Sequence, residues 1–115
     1  MRRSDIVTVN LDPALGSEAS KSRPAVVVSH DAANATAERL GRGVITVVPV
    51  TSNTNRLYPF QVLLPAAMTG PRADSKAQAE QVRSVALERI GRRTGRLTQD
   101  LLAELDNALR IHLSL

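Results

Sequence analysis

The chain has 115 residues, 43% of them hydrophobic and 23% charged, with a net charge of +4 and no cysteine. That length carries one modest core, the balance excludes a disordered chain, and the missing cysteines exclude disulfides and thiol chemistry. No run of about 18 apolar residues offers a membrane span, and Met1 to Asp5 lacks a signal-peptide core, so a single domain over residues 1–115 in the cytoplasm is expected.

Ile6 to Leu11 alternates and predicts a first strand. Asp12-Pro13-Ala14-Leu15-Gly16-Ser17-Glu18 is turn chemistry, and the polar run through Ser22 makes a loop of roughly ten residues. Pro24 to Ser29 predicts a second strand whose continuous valines are buried on both sides. Asp31 to Leu40 is alanine-rich and predicts one or two helical turns with Asp31 as N-cap, closed by Gly41-Arg42-Gly43. Val44 to Val50 is a third strand, with Pro49 calling for an edge or a bulge. Thr51 to Pro59 is a polar connection, Phe60 to Leu64 a fourth strand, and Pro65 to Ala73 a loop. Ser75 to Val85 alternates weakly and reads as a strand, with a short turn over Leu87 to Gly91. From Thr98 the period becomes helical. Thr98 caps the helix, and Leu101, Leu105, Ala108, Leu109 and His112 fall on one face. The fold class predicted is α+β, a small curled β-barrel with a C-terminal helix.

Two segments carry the chemistry: Arg23-Pro24-Ala25-Val26-Val27-Val28-Ser29 and Val47-Val48-Pro49-Val50-Thr51-Ser52-Asn53. If they form neighbouring strands, Arg23 and Thr51 meet at one edge of the sheet. A guanidinium beside a hydroxyl can hold a phosphodiester and donate hydrogen bonds to it. The competing structural readings are a strand-start arginine paired with Glu18 or Asp12, and a strand-end hydroxyl closing a turn. The basic residues are almost all arginine, Lys21 and Lys76 being the two lysines, and arginine forks suit phosphate. Tyr58 and Phe60 are the sole aromatics, which rules out a broad base-stacking surface. Two histidines without cysteine argue against a zinc site. His112, on the apolar helix face, reads as packed or interfacial. Arg89, Arg92, Arg93 and Arg96 form a basic cluster that either attracts a polyanion or makes a solvated turn.

Several segments resemble one family in the same order. They are Asp5-Ile6-Val7 with Asn10-Leu11-Asp12-Pro13, Gly16-Ser17-Glu18 before Arg23-Pro24, Val48-Pro49-Val50-Thr51-Ser52, Glu80-Gln81-Val82-Arg83-Ser84, and Gly95-Arg96-Leu97 ahead of the closing helix. Together they cover nearly the whole chain, and the set resembles the MazF/PemK-like toxins of bacterial toxin–antitoxin systems. The resemblance implies an SH3-like barrel of the CcdB/PemK type, a homodimer, and cleavage of single-stranded RNA at short motifs by attack of the RNA's own 2′-hydroxyl, with no metal and no cofactor. It implies a cognate antitoxin with an acidic C-terminal tail. It assigns catalysis to Arg23 and Thr51, and RNA binding to Ser17, Glu18, Ser52, Asn53, Glu80, Gln81 and Arg83. On a regular strand Gln81 and Arg83 share a side and Glu80 takes the other. Val7-Thr8-Val9 stands where members often have aromatics, and Ala19 where they often have Gln, which bears on base preference. The alternative function is a non-enzymatic, CcdB-type toxin that poisons gyrase on the same barrel.

Overall fold

The computed structural model describes residues 1–11, 22–69 and 73–115. The elements follow the chain as β1 (Asp5–Asn10), β2 (Ser22–Val27), α1 (Asp31–Leu40), β3 (Val44–Thr51), β4 (Gln61–Leu64), α2 (Ala66–Thr69), β5 (Ser75–Gln78), β6 (Arg83–Ala86), β7 (Ile90–Arg96) and α3 (Gln99–Leu113). The strands pair antiparallel. β7, β1, β2 and β3 lie side by side, and β3 is flanked on its other edge by β6 near its start and by β5 near its end, with β4 beyond β5.

β6 and β7 are joined by the 3-10 turn Leu87–Arg89, and among the described residues no ladder pairs them. The sheet is therefore an open roll, not a closed barrel. Its concave side holds Val7, Val9, Ala25, Val27, Ile45, Val47 and Val85, with Ala37 of α1 added. Its other side holds Ile6, Val26, Val48, Val50, Val62, Leu64 and Ala77 against Leu97, Leu101, Leu105 and Ala108 around α3. The uninterrupted valines of β2 follow from this, since Val26 faces one core and Val27 the other.

Local chemistry explains the element ends. Thr98 Oγ1 accepts from the Leu101 N–H at 3.2 Å and starts α3. Gly41, at φ +69°, ends α1 in the left-handed region. At the start of α1 the cap is His30, whose Nδ1 accepts from the Ala32 N–H at 3.1 Å, and Asp31 is the first helical residue.

Further sequence expectations change besides the closed barrel and the Asp31 cap. Ser75 to Val85 is broken by the 3-10 turn Ala79–Gln81. Between the pairs Val50–Ala77 and Val47–Arg83, three steps along β3 face six along its partner. That interruption lies beside Pro49, where a residue without an N–H is tolerated. The stretch after Pro65 carries the one-turn helix α2. Of the arginine-rich stretch, for which a solvated turn is one of two readings, Ile90–Arg96 is strand β7, and Gly91 permits its approach to β1. A Cβ there would come within 2.2 Å of Thr8 Oγ1. Finally, His112 is exposed, so of its two readings packing within the chain does not hold, while Leu101 and Leu105 are covered by the chain's own sheet. The helix face therefore does not by itself call for a second copy. No described helix is long and apolar enough to cross a membrane.

Candidate active site

Arg23 lies on β2 opposite Val9 of β1. The β2–β3 register pairs Ala25 with Pro49, and carried two residues further along both strands it puts Arg23 opposite Thr51. Thr51 is opposite Lys76 of β5, and Lys76 is opposite Leu63 of β4. One cross-strand row thus runs Val9, Arg23, Thr51, Lys76, Leu63. Residues in register on antiparallel strands project to the same side, with Cα atoms about 4.5–5.5 Å apart. That side is continuous with the concave side of the roll, because Ala25 and Val27 follow Arg23 at even spacing along β2.

The environment changes along the row. Arg23 is exposed, Thr51 half-buried, and Lys76 buried at 7% exposure. The Thr51 hydroxyl accepts from the Asn53 N–H at 3.2 Å, and Asn53 Oδ1 accepts from the Asn55 N–H at 3.2 Å. Two side-chain-capped turns therefore start the connection that follows β3. The Thr51 hydroxyl proton stays available to donate.

That connection returns over β5 and β4. Lys76 Nζ donates to the Arg56 carbonyl at 2.6 Å. Gln61 Oε1 accepts from the Tyr58 N–H at 3.2 Å, and the Gln61 N–H donates to the Tyr58 carbonyl at 2.9 Å. Gln61 Nε2 also donates to the Glu80 carboxylate, at 2.7 Å to Oε2. The rings of Tyr58 and Phe60 stack with centroids 5.4 Å apart, and Arg56 Nη1 donates to the Tyr58 hydroxyl at 3.3 Å.

The residues singled out from sequence separate into groups. Arg23 and Thr51 share the row obtained by continuing the Ala25–Pro49 register two residues. Glu80 joins the neighbouring connection through Gln61. Ser52 points to the opposite side from Thr51 and lines a cavity of about 230 Å³ with Ile6, Pro24, Val50, Leu64 and Ser75 among its walls. Asn53 shapes the turn. Gln81 is exposed at the end of a 3-10 turn, so the expected sharing of a strand face by Gln81 and Arg83 does not apply. Arg83 is opposite Val47, which pairs with Val27. That row is four residues from Arg23 along β2, or about 13 Å at the usual strand rise. Ser17 and Glu18, with Asp12 and the rest of the long loop, lie outside the described residues.

Sequence reasoning missed Lys76 and Gln61. In sequence Lys76 is a polar position in an alternating stretch; in the structure it is buried and bonded to the Arg56 carbonyl of the 52–60 connection. The arginine cluster is also more structural than expected. Arg89 Nη1 donates to the Asn10 carbonyl at 3.1 Å, Arg96 Nε donates to Asp5 Oδ1 at 2.9 Å, and Arg93 Nη1 lies 3.9 Å from the same oxygen. Burial pushes the Asp5 carboxyl up, but the Arg2 N–H, the Arg96 bond and the charges of Arg96 and Arg93 outweigh it and hold it below its ordinary value. Among the described residues no group of three or more His, Cys, Asp or Glu side chains is placed to hold a metal ion.

The chain matches the model of the PemK-like, MazF-like toxins of type II toxin–antitoxin systems over residues 2–113. It is 65% identical over 115 residues to "Endoribonuclease MazF9" of Mycobacterium tuberculosis, covering 100% of this chain and 98% of that protein. Its fold is similar to a MazE–MazF crystal structure from Deinococcus radiodurans, with a TM-score of 0.80, 30% identity, and coverage of 100% of this chain and 96% of that one. It is also similar to the M. tuberculosis toxin MazF-mt6, with a TM-score of 0.77, 22% identity, and coverage of 96% and 97%; that likeness concerns the fold alone. These matches favour the ribonuclease toxins over the gyrase-poisoning alternative.

Proposed function

Since the chain belongs to the PemK-like, MazF-like toxins of type II toxin–antitoxin systems, we propose that it is an endoribonuclease toxin whose cleavage site is the Arg23–Thr51 pair. Its substrate is single-stranded RNA, messenger RNA in the cell, and its cutting arrests translation and growth. The RNA's own 2′-hydroxyl attacks the adjacent phosphorus, and the bond from phosphorus to the 5′-oxygen breaks. The products are a 2′,3′-cyclic phosphate and a 5′-hydroxyl. This reaction needs an in-line backbone, stabilisation of the extra charge on the phosphoryl oxygens, and a proton for the leaving oxygen. Arg23 bridges two phosphoryl oxygens with its guanidinium, and Thr51 donates a hydrogen bond to the developing oxyanion. The proton released by the 2′-hydroxyl balances the one taken up by the leaving 5′-oxygen, with Arg23 as its carrier. No step requires a metal or a cofactor.

Glu80, Gln81, Asn53, Ser52 and Arg83, with Ser17 and Glu18 of the long loop, bind RNA on either side of the scissile phosphate. The domain spans residues 1–115, works in the cytoplasm as a homodimer, and is restrained by an antitoxin whose acidic C-terminal tail competes for the electropositive site. A MazE–MazF structure from Deinococcus radiodurans, 30% identical to this chain, supports a bound protein partner.

The single observation that carries the reading is the β2–β3 register, which pairs Ala25 with Pro49 and, if continued two residues along both strands, sets Arg23 opposite Thr51. Arg23→Ala tests it. Loss of a transition-state donor lowers the cleavage rate by roughly a hundredfold or more, in a protein that remains folded. Near-normal cleavage by folded Arg23→Ala protein overturns the assignment.

A further inference from the structure

Lys76 is an unusual residue for its place. It is 7% exposed, whereas lysine is almost never buried without a partner for its charge. Among the described residues no carboxylate pairs with it, and the hydrogen bond it makes is to a main-chain carbonyl, that of Arg56 at 2.6 Å. Its strand position is one step from Thr51 in the row that holds Arg23. The carbonyl it grips belongs to the connection that leaves Thr51, midway between Thr51 and the start of β4.

A neutral side chain of similar length would avoid the cost of burying an ammonium. What lysine adds is a strong, charge-assisted hydrogen bond and a positive charge beside the scissile phosphate in a poorly hydrated place, where charge acts more strongly than in water. Resting on the Arg23–Thr51 reading, we propose that Lys76 is a positioning residue for RNA cleavage. It clamps the 52–60 connection through the Arg56 carbonyl, fixes the Thr51 hydroxyl in line with Arg23, and adds a buried cation behind the phosphate.

The clamp has a direct readout. Trypsin cuts after arginine, and the scissile carbonyl of the Arg56–Leu57 bond is the acceptor of Lys76. A protease must draw that segment into an extended conformation, so the clamp protects it.

Lys76→Met keeps the length and removes donor and charge; Lys76→Arg keeps both. Native tryptic cutting at Arg56–Leu57, located by mass spectrometry, is measured with single-turnover and steady-state cleavage of a single-stranded RNA. For Lys76→Met the cut at Arg56–Leu57 is expected to be about tenfold faster. Its kcat is expected to fall about 10- to 100-fold with KM changing less than about threefold, as for a misplaced catalytic group. For Lys76→Arg, kcat and tryptic rate are expected within about threefold of wild type. A folded Lys76→Met protein with wild-type kcat overturns the proposal, even if its melting temperature falls. So does an equal loss of kcat in both variants with no change in tryptic rate, which would make Lys76 a packing residue. Arg23→Ala, run alongside, separates the two claims. It is expected to lose cleavage with Arg56–Leu57 still protected, and a fully active Arg23→Ala protein would sink the site reading while the tryptic rates still judge the clamp.

Discussion

Replacing Thr51 by Val separates the hydroxyl's chemistry from its structural use. Val matches the β-branched shape of Thr, so the half-buried end of β3 loses no packing volume. One interaction seen in the structure disappears, the bond from the Asn53 N–H to Thr51 Oγ1. Losing such a bond at a partly solvated turn costs about 1 kcal/mol of stability. For a domain of this size that lowers the melting temperature by only a few degrees. If the same hydroxyl donates to the oxyanion, cleavage loses about 10²-fold, which is about 2.7 kcal/mol of barrier at 1.36 kcal/mol per tenfold. The loss in rate therefore exceeds the loss in stability. Single-turnover cleavage of a labelled single-stranded RNA gives the rate, and thermal melting gives the stability. Thr51→Ser, which keeps the hydroxyl, should retain activity within about tenfold. A well-folded Thr51→Val protein cutting within about threefold of wild type would refute the reasoning and leave Thr51 as a turn residue.

Two further predictions concern stability. Asp5→Asn removes the carboxylate that binds the Arg2 N–H and the Arg96 guanidinium; it should destabilise the fold by about 1–3 kcal/mol at neutral pH, read from denaturant midpoints. Because the folded-state value of Asp5 is held below its ordinary 3.8, its stabilisation is complete above that ordinary value and is lost as pH falls through the lower folded value. The gap between wild type and Asp5→Asn should therefore shrink in acid, and a gap that widens there would refute the pairing. Leu105→Ala empties a fully buried position between α3 and the sheet and should cost about 2–5 kcal/mol; a denaturation midpoint close to wild type would contradict the placement of α3.

Much of this arrangement was legible in the chain because it is written in local pattern. Alternation gave β1, the Thr98 cap gave the start of α3, and two valine runs ending in polar residues gave the adjacent strands β2 and β3. Pro49 signalled a break in pairing and lies beside the one between β5 and β6. What escaped depends on contacts distant in sequence. β7, with Gly91, Gly95 and its arginines, has little strand propensity of its own; it is a strand because β1 offers an edge and because Gly91 lets it approach Thr8. The turn at Ala79–Gln81 overrode a regular alternation and moved Gln81 away from the side expected for it. Lys76 is one polar position in a weakly alternating stretch, and its bond to the Arg56 carbonyl, distant in sequence, leaves no local signal. His112 fell on the apolar stripe by periodicity, but it is exposed in the last turn of α3.

The most direct test of the account is the chemistry of the cut ends. Purified protein, shown free of contaminating nuclease, is incubated with a long single-stranded RNA in excess EDTA, beside Arg23→Ala protein from the same preparation. The account predicts discrete cleavage by the wild type, with 5′-hydroxyl ends that accept phosphate from a polynucleotide kinase without prior dephosphorylation. It predicts matching 2′,3′-cyclic phosphates or the 3′-phosphates they open to, and cutting at least about a hundredfold slower by Arg23→Ala. Cleavage that stops in EDTA and returns with magnesium, or fragments bearing 5′-phosphates, would contradict it.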